Sequence, residues 1–250
     1  MMTSVKTTKE IQAMRESGKM LATILQLLSH KLAAGMTTKD LSNIASTELK
    51  KLGGQPSFLH FQGYPDVLCV SINDEVVHGI PKVSKLIVEG DIVSLDFGVT
   101  YQNMITDAAI TCIVGKLKGE DKLLVETTKE SLLSGIMAVH DGVHTGDIGA
   151  AVAGVLVKHN YGIVRDLVGH GVGHHLHEEP NIPNYGRKGT GTVLKSGMTV
   201  AIEPMATLGD YEVYTADDGW TVLTEDGSRS AHFEHTILVT EDGAEILTTV

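Results

Sequence analysis

Cysteine is scarce in this chain. The two present, Cys69 and Cys112, form no Cys-x-x-Cys, which leaves too few thiols for a disulfide framework or a zinc finger. A reducing cytoplasm is the expected compartment. No apolar run approaches the ~20 residues needed to span a bilayer, so no membrane association is expected. The opening Met-Met-Thr-Ser-Val-Lys-Thr-Thr-Lys-Glu lacks the apolar centre of a signal peptide. Basic residues are outnumbered, 20 Lys and Arg against 31 Asp and Glu, and the net charge of -11 argues against DNA as a partner. Several catalytic signatures are also missing. There is no His-Glu-x-x-His, no Gly-x-Ser-x-Gly elbow and no phosphate-binding Gly-x-x-x-x-Gly-Lys-Ser/Thr loop. The glycines at 169, 171 and 173 miss the dinucleotide-binding spacing.

What is there is concentrated in Gly169-His170-Gly171-Val172-Gly173-His174-His175-Leu176-His177-Glu178-Glu179-Pro180, where four histidines and two carboxylates sit beside three glycines. Imidazole is the commonest metal ligand and titrates near neutral pH. Such density points to metal binding or acid–base chemistry, although the stretch cannot close a site alone.

At 250 residues with 42% hydrophobic content, the chain suits one large domain or two packed halves. Thr7-Thr8-Lys9-Glu10 reads as a capping box opening a helix that runs to about His30. A second helix is expected from about Thr37 to Gly53-Gly54, and others at about 120–139 and 145–159. Strands are expected at Val67–Ile72, Ile92–Phe97, Met104–Val114, Met198–Ile202 and His235–Val239, with a final turn into Ala244–Thr248.

A weak repeat links these elements. Gly35-x-x-Thr38-x-Asp40-Leu41 matches Gly142-x-x-Thr145-x-Asp147-Ile148, and Gly90-x-x-Val93-x-Leu95-Asp96 matches Gly197-x-x-Val200-x-Ile202-Glu203. The offset is 107 residues both times. Two equivalent halves, approximately 10–115 and 116–250, are therefore expected to pack about a pseudo-two-fold axis within a single catalytic domain, 1–250. Asp96 and Glu203 should occupy equivalent strand ends. Asp107, on the return strand of a hairpin turning near Thr100–Asn103, should lie beside Asp96, and Glu234 again adjoins an apolar strand. Carboxylates so placed are seldom buried unless paired or bound to metal. Four of them with a histidine suggest two divalent ions. Mixed oxygen and nitrogen donors do not choose among Mn, Fe, Co and Zn.

Together with Ser71-Ile-Asn-Asp-Glu-Val-Val-His78-Gly-Ile-Pro81, Asp96-Phe-Gly98, Thr106-Asp107, His177-Glu-Glu-Pro180, Ile202-Glu203-Pro204 and Phe233-Glu234-His235-Thr236, this order resembles the type I methionine aminopeptidases in their short bacterial form. The resemblance runs over essentially the whole chain. It implies the α+β pita-bread fold, two pseudo-two-fold-related halves with an antiparallel sheet covered by helices. It also implies removal of the initiator methionine before a small second residue. Carried over residue by residue, it assigns two divalent ions to Asp96, Asp107, His170, Glu203 and Glu234, with Asp107 and Glu234 bridging. His78, His177 and Glu203 become the catalytic groups, the two histidines also touching substrate, while His174 and His175 remain loop residues. Phe58, Phe61, Tyr64, Cys69, Leu176 and Trp220 would form the methionine slot, with Met205 and His232 bordering the next residue. Main chain around Asn73, Glu75 and Ser230 would hold one monovalent cation, Na or K. Phe58, Gln62 and Leu176 depart from residues frequent in relatives, which touches pocket shape and leaves the ligand set intact. The expected partners are nascent polypeptide N-termini near the ribosome, met by a monomer in the cytoplasm. Rival readings are a proline-specific aminopeptidase or dipeptidase of the same fold, and a non-catalytic pita-bread peptide-binding module.

Overall fold

A computed structural model describes residues 2–116 and 119–250. Met1, Leu117 and Lys118 lie outside the described residues, and the last two adjoin the expected boundary between the halves.

Helix α1 (Thr8–Lys31) starts as its sequence predicts. The Thr7 hydroxyl accepts from Glu10 N at 3.3 Å, and the Glu10 carboxylate accepts from Thr7 N at 2.7 Å. Helix α2 (Thr38–Leu52) repeats the device with Thr37 and Asp40 and stops at Gly53, whose φ of 81° is left-handed. Helices α3 (Glu120–Met137) and α4 (Thr145–Leu156) follow in the second half. The 107-residue offset governs the contacts as well as the sequence. Thr37 bridges Leu86 and His144 bridges Val193, while Gly35 N donates to Ile87 O and Gly142 N to Leu194 O, both at 2.9 Å.

The main sheet is antiparallel and nearly palindromic. At its centre Met104–Ile113 pairs with Glu234–Val239. Outside these lie Ile92–Tyr101 and Thr199–Ile202, and beyond them Cys69–Ile72 and Gly169–Gly171. Glu178–Ile182 and Gln55–Pro56 complete opposite edges, and Ala244–Ile246 adds to Glu234–Val239. The pseudo-two-fold relation is thus written into the strand order.

Alternation along the strands decides what faces what. Val93, Leu95, Phe97 and Val99 pack under Leu21, Ile24, Leu25, Leu41 and Leu49 of α1 and α2. Val200, Ile202, Ile237 and Val239 pack under Leu132, Ile136, Ile148 and Val152 of α3 and α4. Each such side chain contributes roughly 1.5–3 kcal/mol by leaving water. The intervening residues therefore turn to the opposite, concave face, and these include Asp96, Asp107 and Glu234.

The structure extends the sequence reading in three places. The first long strand runs on to Tyr101, so Asp96 lies inside it, whereas Glu203 directly follows its own strand. Gln102 and Asn103, with φ of 48° and 64°, make the two-residue hairpin turn. Two small three-stranded sheets were not foreseen: Gly162–Ile163, Met205–Thr207 and Ser230–His232 form one, and Glu75–Val77, Val213–Thr215 and Val222–Thr224 the other. Strands of two or three residues carry too little alternation to be read. Among the described residues, no helix is long and apolar enough to cross a membrane.

Candidate active site

Every residue singled out from the sequence as a ligand, a catalytic group or a wall of the methionine slot lines one cavity of about 170 Å³. Gln62 and Val77 complete its lining. The cavity opens on the concave face, where the two halves meet.

The carboxylates come from both halves. Asp96 is paired with Ala109 across the hairpin and Asp107 with Gly98, so the two aspartates are diagonal neighbours on one face and not directly opposite. Glu234 pairs with Ala109 from the other side, which brings it to the same point. Asp96, Asp107 and Glu234 each offer an oxygen within 4.8 Å of the others, and so do His170, Glu203 and Glu234 with their ligand atoms. Asp107, His170 and His177 form a third such group. Asp107, His170 and Glu234 therefore each belong to two of the groups.

Main-chain clamps hold the carboxylates. The Thr236 hydroxyl donates to Asp107 O at 2.8 Å and accepts from Asp107 N at 2.9 Å. The Asn184 amide donates to Glu203 O at 3.0 Å. Sequence reasoning missed Asn184, because a lone asparagine in a loop gives no signal. The Glu203 carboxylate sits between two imidazoles, 3.5 Å from His170 Nε2 and 3.8 Å from His232 Nε2.

Charge is badly compensated in this cleft. Asp96, Asp107 and Glu234 are 7%, 4% and 2% exposed, and one oxygen of each has no hydrogen-bond partner. No lysine or arginine lines the cavity among the described residues. Burial pushes the Asp96 carboxyl up to about 7. Burial and then neighbouring carboxylates push Asp107, Glu203 and Glu234 well above their usual range. Burial holds His170 down to about 3 and, with the charge of His177 as a second cause, His78 down to about 4, so both imidazoles are neutral at pH 7. Unpartnered buried oxygens beside a neutral imidazole are what divalent cations would satisfy. The donor set fits such ions.

This imbalance predicts how the metal-free protein responds to pH. A carboxyl whose folded-state value is raised binds more protons folded than unfolded. Its stabilising effect is complete below the unfolded value and is lost as pH rises through the folded one. For Asp96 that window runs from its ordinary value of 3.8 to about 7, and burial works in the same direction on Asp107, Glu203 and Glu234. The buried histidines, held low, oppose this trend over the same range, so the carboxyl effect is read against Asp96→Asn: the Tm of chelated wild type should fall relative to that variant between pH 5 and pH 8. Added Mn(II) should raise the Tm most at the higher pH. A chelated wild type whose Tm keeps pace with Asp96→Asn across that range contradicts this.

The apolar wall is built from Phe58, Tyr64, Cys69 and Leu176, with Phe61, Ile80, Ile105 and Trp220 packed on them. Tyr64 meets Trp220 edge-to-face at 5.1 Å, and its single hydroxyl proton is shared between the Leu68 and Gly79 carbonyls, which fixes the ring. His177 stands edge-on to His170 at 4.4 Å and to Phe61 at 5.3 Å, at the junction of wall and carboxylates. His78 adopts a left-handed φ of 60° and faces Trp220. His174 and His175 are exposed and stand outside the cavity lining.

Comparison with known proteins places the chain in a family. Residues 12–241 match the model of Metallopeptidase family M24. Methionine aminopeptidase of Clostridium acetobutylicum is 42% identical over 98% of each chain, and methionine aminopeptidase 1 of Bacillus subtilis is 43% identical over the same shares. The crystal structure of methionine aminopeptidase from Thermotoga maritima superimposes over 100% of both chains, with a TM-score of 0.98 and 46% identity. Prolidase from Pyrococcus furiosus shares the fold at a TM-score of 0.80 and 23% identity, with the present chain spanning 65% of it. The chain belongs to metallopeptidase family M24, and its fold is the pita-bread fold of that family.

Proposed function

We propose that this protein is a methionine aminopeptidase, removing the first methionine from peptides and nascent polypeptides whose second residue is small. The observation that carries the reading is the single cavity in which an apolar, sulfur- and aromatic-lined slot ends against His177 and the carboxylate cluster. A linear thioether side chain suits that slot. The near-identical architecture and 42–46% identity of the methionine aminopeptidases above support it.

Two divalent cations, Co, Mn, Fe or Zn, are assigned to Asp96, Asp107, His170, Glu203 and Glu234. Asp107 and Glu234 would be shared between the ions, as the resemblance implies; both lie in the group with Asp96, and Glu234 also lies in that of His170 and Glu203. When bound, such ions lower the pKa of water and polarise a carbonyl. The remaining work falls to side chains. Glu203, whose buried carboxyl takes a proton readily, accepts one from the attacking water and passes it toward the leaving amine. His177 donates to the scissile carbonyl oxygen as charge develops there. His78, neutral at working pH, orients the scissile amide nitrogen. Residues 1–250 act as one catalytic unit. One Na or K ion is assigned to the Asn73 and Glu75 carbonyls, which converge on the Ser230 hydroxyl at 3.1 Å. The working setting is a cytoplasmic monomer acting near the ribosome.

A substrate panel tests the reading. Protein supplied with Mn(II) should release methionine from Met-Ala-Ser, act far more slowly on Met-Leu-Ser, and leave Gly-Pro and Ala-Pro-Ala intact. Cleavage of the proline peptides without methionine release would transfer the protein to the prolidase-like activities. Tight peptide binding without turnover would make it a binding module.

A further inference from the structure

The segment before α1 is bound to the turn and strand at Gly197 and Thr199, and to Glu178 and Glu179 where the loop that carries His177 ends. Lys6 N donates to Gly197 O at 2.8 Å, and the Thr3 hydroxyl reaches Thr199 O at 3.4 Å. The Lys6 side chain is fully buried, and its ammonium donates to Thr3 Oγ1 at 2.8 Å, Ser4 O at 3.1 Å and Glu178 Oε2 at 3.4 Å. The other oxygen of Glu178 accepts from His174 N at 2.8 Å and His175 N at 2.9 Å. One carboxylate thus joins the buried ammonium to the peptide groups just before Leu176 and His177. The near end of the loop is fixed by Gly173, whose carbonyl accepts from Ile105 N at 2.7 Å. Gly173 has φ +149°, and a Cβ there would lie 2.4 Å from Lys6 Cε, so the lysine stem packs directly on the loop backbone.

A buried ion pair is weak evidence for stability, since apolar replacements of both partners often cost nothing. What this pair does specify is geometry, because its carboxylate ends on two backbone N–H groups of the six-residue loop between Gly171 and Glu178. We propose that Lys6 is a positioning residue for methionine release: through Glu178 it holds the 174–177 loop so that His177 faces His170 and Leu176 closes the apolar slot. The proposal rests on the role given to His177 above.

The test compares wild type with Lys6→Met and with Lys6→Met/Glu178→Gln, the second variant leaving no lone buried charge if the first folds poorly. Turnover of Met-Ala-Ser with Mn(II) and amide hydrogen exchange of residues 173–178 in metal-free protein are both measured. Outer-shell supports of this kind are worth about 10–100-fold in activity. Both variants should lose about that much kcat with KM changed less than about threefold, and their loop amides should exchange faster while those of α3 and α4 keep their protection. Protection of 173–178 that survives in both variants overturns the proposal whatever the activity. So does a kcat within about twofold of wild type. A wild-type protein that releases no methionine refutes the proposed function instead, and the exchange result still decides whether Lys6 holds the loop.

Discussion

Glu203→Gln lowers kcat for methionine release by about 10²–10⁴-fold, the usual worth of a positioned general base. The substitution keeps shape and backbone, including the Asn184 clamp on Glu203 O, but removes the group able to take a proton. Burial, followed by the charge of Asp96, raises the Glu203 carboxyl well above its ordinary range, so it takes up a proton more readily than an exposed carboxylate does. Glu203 is also assigned as a ligand, so the variant should bind divalent ions more weakly. The two roles separate in a metal titration: weaker binding moves the Mn(II) concentration needed, whereas loss of the base leaves kcat low at saturation. A kcat within about threefold of wild type at saturating Mn(II) removes Glu203 from proton transfer.

His177→Ala should cost about 10²–10³-fold in kcat, as removal of an oxyanion donor does. The ring is held edge-on between His170 and Phe61, so the donor is presented to substrate at low entropic cost. Its loss is felt in the transition state, and KM for Met-Ala-Ser should change by less than about fivefold. Cavity geometry should survive, because His177 is exposed and takes no part in the core clusters. A large rise in KM with kcat intact would show that the imidazole binds substrate without stabilising the developing charge.

The parts legible in the sequence share one property: their signal is local or periodic. The capping boxes at Thr7 and Thr37 need only four residues each, and both helices begin where those boxes predict. Asp96 and Glu234 stand out because carboxylates interrupt apolar strand patterns whose neighbours all pack inward. The 107-residue repeat survives in the glycine turns at 35, 90, 142 and 197, where left-handed φ values of 93°, 89°, 81° and 88° constrain residue choice. It fades after Glu203 because the second half carries inserted short strands before Glu234 resumes the main sheet. The diagonal placement of Asp96 and Asp107 depended on a two-residue turn at Gln102 and Asn103, a register detail that composition does not set. Least legible are contacts between distant segments. Nothing local in Ser-Val-Lys-Thr announces that Lys6 will be buried against a carboxylate 172 residues away.

Methionine release should depend on divalent ions held by the buried carboxylate and imidazole cluster. The most direct measurement is a Mn(II) titration of exhaustively chelated protein, with calorimetric binding and methionine released from Met-Ala-Ser followed in the same samples. Chelated protein should release no methionine, and release should recover in step with Mn(II) binding that Asp107→Asn abolishes. Full release by the chelated protein would contradict it.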